Sequence, residues 1–202
     1  MLIGILNLNY GNIYNIKKIL EKKNVNFKLI SNSKDFNNIS HLIIPGVGSF
    51  NQCMKKIISD EILDPLISTI KKKPTLAICL GMQILFEESY ENEKTKGLGI
   101  FKGKVYKLNE INKDIRCPNF GFYKLKVNSK FKFLKNKEFY FANSYYCKIK
   151  SNKLTDILYL DNNIIKIPSL LKHKNILATQ FHPELSREDG ITIYERFLKN
   201  RW

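Results

Sequence analysis

Residues Thr75-Leu76-Ala77-Ile78 read as a short buried strand that stops at Cys79, and behind Gly81 the apolar residues Met82, Leu85 and Phe86 fall at helical spacing. A thiol at such a corner is open to a ligand, and helix N-terminal amides with their macrodipole favour the thiolate. A sharp elbow brings the positions two before and two after the nucleophile close together and demands small side chains there. Ala77 and Gly81 meet that demand. A cysteine that merely ends a buried strand would look the same, so catalysis needs partners elsewhere in the chain.

One partner is Gln180-Phe181-His182-Pro183-Glu184, just past another strand. A cysteine nucleophile needs an imidazole to carry its proton, and that imidazole needs an orienting acceptor. His182 and Glu184 supply both, with Pro183 stiffening the link. Of the three histidines, His41 opens a buried strand and His173 is flanked by Lys172 and Lys174, which suits a solvated role. The other partner is Pro45-Gly46-Val47-Gly48, again after a strand, where glycine lets backbone amides approach a ligand and form an oxyanion hole. The loop lacks the further glycine of a dinucleotide fingerprint and is followed by no Walker lysine.

The elements that must position these residues alternate through the first half. Residues 2–8 form a strand, 12–23 an amphipathic helix, Val25–Ile30 a strand and His41–Ile44 a third strand. Helical patterning covers 50–71 with a break near Asp64-Pro65, followed by the strand at 75–78 and a helix at 81–90. This order implies a doubly wound, mostly parallel central sheet flanked by helices, an α/β fold, with ligands at the carboxyl ends of its strands. The second half carries additional antiparallel strands at Ile100–Leu108, Gly121–Val127, Glu138–Ala142, Tyr146–Lys150, Ile157–Leu160 and Ile164–Ile167. Asp161-Asn162-Asn163 is a hairpin turn between the last two. Ile176–Phe181 is one more strand and Arg187–Leu198 a closing helix. No linker or repeat divides the chain, so residues 1–202 are expected to form a single domain.

A hydrophobic fraction of 44% in 202 residues is that of a globular chain with a proper core. No apolar run approaches the ~20 residues of a membrane span and no leader precedes the first strand, so a cytoplasmic protein is expected. The net charge of +16 raises nucleic acid as a partner. The basic residues are nearly all lysines spread along the chain, with arginine only at Arg116, Arg187, Arg196 and Arg201. That is a solvated basic surface, and no nucleic-acid partner is expected. The four cysteines, Cys53, Cys79, Cys117 and Cys147, are far apart and read as free thiols, all but Cys79 packing as small hydrophobes. No metal-ligand spacing or nucleotide loop is present, so neither metal nor cofactor is expected.

Taken together, the motifs P-G-V-G at 45–48, I-C-L-G-M-Q at 78–83 and Q-F-H-P-E at 180–184 resemble those of class I, triad-type glutamine amidotransferases, over nearly the whole chain. The runs at 42–50 and 79–89, G-L-G at 97–99 and N-S-Y-Y at 143–146 are most similar to the glutaminase subunit of imidazole glycerol phosphate synthases. The resemblance implies Cys79 as nucleophile, His182 as base and then acid, and Glu184 as its orienter. It implies oxyanion donors from Gly46, Val47, Gly48 and the Leu80 amide, with Gln83, Glu91, Ser144 and Tyr145 holding the two ends of L-glutamine. It further implies a heterodimer in which ammonia passes to a synthase subunit.

The chain departs from the family's pattern in places. The first loop, which in the family starts Asp-Tyr-Gly, here has Asn7-Leu8-Asn9 before Tyr10-Gly11-Asn12, and Pro118-Asn119-Phe120-Gly121-Phe122-Tyr123 stands where the family has Pro-His-x-Gly-Trp-Asn. Asn143 stands in place of a His and Leu185 in place of a Lys. The triad is untouched, whereas these segments face the synthase in the family. Three readings therefore stand beside the imidazole glycerol phosphate cyclase as partner. One is a paralogous glutaminase feeding a sugar amidotransferase of surface glycans, another is a regulatory or interaction subunit without catalysis, and the third is nucleic-acid binding.

Overall fold

Alternate residues along the central strands feed two separate cores, which is what a sheet covered on both faces requires. Ile3, Ile5, Ile43, Leu76, Ile78 and Leu177 pack on one side, and Leu6, Leu42, Ile44, Ala77 and Ala178 on the other. The structure is a computed structural model that describes residues 1–8, 11–46, 48–111, 113, 115–150, 154, 156–160 and 166–200.

In the first half, β1 (Leu2–Leu6), α1 (Ile13–Lys22), β2 (Asn26–Ile30), β3 (His41–Ile44), α2 (Phe50–Ser59), α3 (Leu63–Lys72) and β4 (Thr75–Ile78) follow one another. A single helical turn, α4 (Leu80–Gln83), leads into β5 (Phe86–Ser89), β6 (Thr95–Lys96), β7 (Phe101–Lys107), β8 (Asn119–Tyr123), β9 (Leu125–Lys126), β10 (Phe139–Asn143) and β11 (Tyr145–Ile149). The chain closes with β12 (Asp156–Leu160), β13 (Pro168–His173), β14 (Ile176–Thr179) and α5 (Arg187–Lys199).

The main sheet has the order β2-β1-β3-β4-β14-β13-β12-β9. Strands β2, β1, β3, β4 and β14 are parallel and the remaining pairings antiparallel, as the α/β expectation required. Helix α1 lays Ile16 and Leu20, and α5 lays Ile193, Tyr194 and Phe197, on one face. On the other, α2 contributes Met54 and Ile57, and α3 contributes Leu66 and Ile70. A four-stranded sheet, β11-β7-β5-β6, extends the second face, and the ribbon β8-β10 covers part of the first. The parallel register places Ile44 opposite Ala77 and Ile78 opposite Thr179, so the chain leaves β3, β4 and β14 at the same edge and level.

Several sequence expectations are corrected. The helix expected at 81–90 is only α4, and Phe86–Ser89 is instead a strand paired with β6 and β7. Residues 80–86 are all buried, so the apolar spacing there carries no helical period, and pairing with the later β7 decides the conformation. Glu87 accepts from the Gly103 amide and pairs with Lys102, while Glu88 pairs with Lys94 and Lys104, ties that an exposed helix face would lack. The interruption in 50–71 falls at Asp60–Ile62, where Glu61 has φ +55°, and Pro65 sits in the first turn of α3, where its missing N–H costs nothing. Gly121–Val127 is two strands in different sheets, β8 on β10 and β9 on β12. Strand β13 was not expected at all, because Pro168 and the polar end at Lys172-His173 disguise it. The Asp161-Asn162-Asn163 turn and residues Ile164–Ile165 lie outside the described residues, and Ile167 precedes β13 without joining it.

Candidate active site

The elbow at Cys79 is real and strained. Cys79 has φ +50° and ψ −106°, a conformation that L-residues adopt at a cost of about 1–3 kcal/mol when the surroundings enforce it. The enforcement comes from both flanks. The Cys79 amide donates to the Thr179 carbonyl at 2.6 Å, and its carbonyl accepts from the Gln83 amide at 3.1 Å. The β3 loop presses on the other side so closely that a Cβ on Gly46 would lie 1.9 Å from the Ile78 oxygen and 2.4 Å from the Leu80 nitrogen. A Cβ on Gly81 would meet the Ile44 oxygen at 2.3 Å. Glycine is needed at both positions for close approach of backbone to backbone. Because α4 is one turn long, the expected macrodipole contribution shrinks to the local amides that follow Cys79.

His182 reaches the thiol from the end of β14. Its amide donates to the Tyr140 carbonyl at 2.8 Å, its carbonyl accepts from the Ser186 hydroxyl at 2.6 Å, and that same hydroxyl accepts from the Tyr140 amide at 2.9 Å. Phe181 stacks on Phe139 of β10 with ring centroids 4.3 Å apart, which seats the segment on the ribbon. A tight 3-10 turn over Pro183–Leu185 folds Glu184 back, so that its Oε1 lies 2.7 Å from His182 Nδ1. The other ring nitrogen is left for Cys79. Burial pulls the ring toward its neutral form, but hydrogen bonding and charge from Cys79 and Glu184 outweigh it and hold the imidazole up to about 10.

A cavity of about 570 Å³ opens over these groups, lined by Gly46, Gly48, Cys79, Leu80, Gln83, Glu91, Ser144, Tyr145 and His182 among others. The structure thus gathers the anticipated residues at one place, with Glu184 behind His182, except Val47, which lies outside the described residues. Gly48 has φ +120°, a backbone state suited to glycine. Glu91 Oε2 accepts from the Phe50 amide at 2.8 Å; burial raises its carboxyl and that hydrogen bond partly offsets the rise. The other histidines stay away from the cavity. His41 is buried in β3 edge-on to Phe197, and His173 ends β13 edge-on to Phe101. All four cysteines are free, and burial pushes the Cys53 thiol up to about 12 and the Cys147 thiol well upward, with a further push from Cys79. Among the described residues no cluster of His, Cys, Asp or Glu suits a metal ion, and no helix is long and apolar enough to cross a membrane.

Over residues 5–200 the chain matches the family described as glutamine amidotransferase class-I. The chain belongs to that family. It is 37% identical to a protein named imidazole glycerol phosphate synthase subunit HisH from Caldanaerobacter subterraneus subsp. tengcongensis, over 97% of each chain. It is also 37% identical to the HisH of Methanocaldococcus jannaschii, over 98% of this chain and 99% of that one. A solved structure described as a glutamine amidotransferase superposes with a TM-score of 0.77 at 20% identity, covering 98% of this chain and 97% of the other, and supports the fold.

In this amidotransferase the surroundings of the site also include residues that sequence reasoning did not assign. Gln180 is fully buried with Nε2 3.5 Å from Cys79 Sγ, and Asn143 lines the cavity beside Tyr140. A signal for Gln180 existed: the parallel register that pairs Ile78 with Thr179 sets the residue just past β14 beside Cys79.

Proposed function

We propose that this chain is the glutaminase subunit of a two-subunit synthase, hydrolysing L-glutamine to glutamate and ammonia through Cys79, His182 and Glu184. The observation that carries the reading is the buried imidazole held between a thiol and a carboxylate on the floor of a cavity at the strand ends. With the imidazole held protonated through neutral pH, a proton is in place at His182 for the departing nitrogen.

The thiolate attacks the side-chain amide carbon of glutamine, and the negative oxygen that forms faces backbone amides of the Gly46–Gly48 loop and Leu80. His182 gives its proton to the departing nitrogen, ammonia leaves, and a glutamyl thioester remains on Sγ. A water molecule then loses its proton to the neutral imidazole and attacks the thioester. Collapse releases glutamate and restores the thiolate–imidazolium pair. Glu184 keeps the ring oriented throughout and accepts from Nδ1.

The cavity suits the rest of the substrate. Glu91 offers a carboxylate to the α-ammonium, and the Ser144-Tyr145 backbone borders the place left for the α-carboxylate. Both amide hydrogens of Gln83 are used, one on the Tyr145 carbonyl at 3.3 Å and one on Gln180 Oε1 at 3.2 Å. Gln83 therefore meets a ligand through Oε1, as an acceptor.

Ammonia would be handed to a partner across the cavity mouth. Phe120 borders the cavity at 51% exposure, and Phe122, two residues on along the same strand face, is 37% exposed under the Arg187 guanidinium. Large apolar side chains left in water beside a functional mouth suit a protein interface. The HisH names of the relatives favour an imidazole glycerol phosphate cyclase as that partner, in a cytoplasmic heterodimer serving histidine biosynthesis. Asn119, Asn143 and Leu185 stand where the family carries His, His and Lys, which keeps a sugar amidotransferase as the competing partner. The deciding experiment measures ammonia release from glutamine with each synthase and its acceptor present. Stimulation by the cyclase supports the histidine assignment, stimulation by the sugar enzyme alone replaces it, and turnover that survives loss of Cys79 overturns the mechanism.

A further inference from the structure

The Cys79 sulfur has a second polar neighbour besides His182, and it ends a chain of buried amides. Gln180 Nε2 lies 3.5 Å from Sγ, and Gln180 Oε1 accepts from Gln83 Nε2 at 3.2 Å. Gln83 Nε2 also donates to the Tyr145 carbonyl, which accepts from Asn143 Nδ2 at 3.0 Å. Asn143 Oδ1 in turn accepts from Asn119 Nδ2 at 3.3 Å. Gln180, Gln83, Asn143 and Asn119 are all at least nine-tenths buried.

The chain fixes which way Gln180 faces. Were its amide turned over, Nε2 would confront the Gln83 NH2 group, donor against donor, and Oε1 would confront the sulfur. Gln83 cannot turn to relieve this, because its NH2 group is also claimed by the Tyr145 carbonyl, an acceptor that cannot reverse. A buried amide left with either mismatch is costly, so the donor end is held toward Sγ.

The geometry points to Gln180 as a positioning residue of the glutaminase reaction, holding a fixed neutral donor against the Cys79 sulfur. A donor is worth more to a thiolate than to a thiol, so Gln180 selects the nucleophilic form and fixes the direction of its lone pairs. It does so without a titratable proton, and leaves proton transfer to His182. The same amide orients Gln83, which ties the nucleophile's position to that of the substrate. The inference rests on the proposed role of Cys79 and adds to it.

The test uses the full-length chain with Gln180→Leu and Gln180→Glu, the second being close to isosteric with an acceptor in place of the donor. Alkylation of Cys79 by iodoacetamide is followed against pH by peptide-resolved mass spectrometry, alongside kcat and KM for glutamine. Gln180→Leu is expected to slow alkylation at neutral pH by about tenfold, the usual worth of a hydrogen bond to a charged group, and to move the profile to higher pH. Gln180→Glu should slow it further, and kcat should fall in step while KM changes by less than about threefold. Gln83→Met, which removes a substrate contact together with the donor that holds Gln180 in place, should raise KM and slow alkylation as well. An unchanged alkylation profile in either Gln180 variant that folds overturns the inference. Full turnover in Cys79→Ser would overturn the reading beneath it, and the two failures are distinct because one is read at the sulfur and the other at glutamine.

Discussion

His182 Nδ1 and Glu184 Oε1 lie 2.7 Å apart although only Pro183 separates the two residues in the chain. The 3-10 turn that begins at this proline makes the short reach possible, so one tight turn supplies both the base and its orienter. His182→Ala is expected to abolish glutamine turnover, whereas Glu184→Gln should retain more, since a neutral acceptor can still orient the ring. Ammonia release measures both. A greater loss in His41→Ala or His173→Ala would displace His182 as the base.

The same pair sets a pH dependence. The His182 imidazole stands at about 10 in the folded chain, above its ordinary value of roughly 6.5 when unfolded. Its contribution to stability is therefore complete below about 6.5 and is lost as pH rises toward 10. Glu184→Gln removes one of the two groups holding the proton. The His182 ring resonance should then titrate at a lower pH than in the parent chain when followed by NMR. An unmoved midpoint would separate Glu184 from the imidazole.

Cys79→Ser should fold and lose glutaminase activity by several orders of magnitude, because an alkoxide is far harder to form at neutral pH than a thiolate. Cys53→Ala, Cys117→Ala and Cys147→Ala should keep turnover. Cys53 and Cys147 are buried with thiols raised by that burial, so their loss costs packing, on the order of 1–2 kcal/mol, read as a lower Tm.

Much of this arrangement is written in short-range pattern. The alternation of Ile3, Ile5, Ile43, Leu76 and Ile78 against Leu6, Leu42, Ile44 and Ala77 announces a sheet covered on both faces, and the strand ends then collect Cys79, His182 and the glycine loop. What stayed hidden depends on partners distant in the chain. Phe86–Ser89 looks helical until β7 pairs with it, and Pro168–His173 is a strand only because β12 and β14 flank it. Gln180 stood within a recognised motif, but its function follows from the amides of Gln83 and Asn143, which no spacing reveals.

The glycines behind the elbow give a test of packing. A methyl group on Gly46 has no room, with backbone atoms of Ile78 and Leu80 closer than any real contact, and neither can retreat without moving β4. Gly46→Ala should destabilise by about 1–3 kcal/mol, a fall in Tm on the order of 2–10 °C for a chain of this size. It should also lower turnover by shifting Cys79. Thermal unfolding and ammonia release check the two effects, and an unshifted Tm would mean the elbow is less tightly held than the contacts require.

The last prediction concerns control by the partner. A glutaminase that ran alone would waste glutamine, so turnover is expected to wait for a synthase carrying its acceptor. Gly48, beside Cys79 in the cavity lining, takes φ +120°, a state glycine enters and leaves without a Cβ clash, so a turn of its peptide there is the gate that costs little sterically. The isolated chain should therefore turn over glutamine slowly, and the right synthase should raise the rate at least about a hundredfold, equivalent to roughly 2.7 kcal/mol of barrier. Phe122 is exposed and lies outside the cavity lining, so Phe122→Ser should weaken the stimulation while leaving partner-free turnover unchanged. Full activity of the isolated chain would remove the need for a gate, and undiminished stimulation of Phe122→Ser would place the partner on another face.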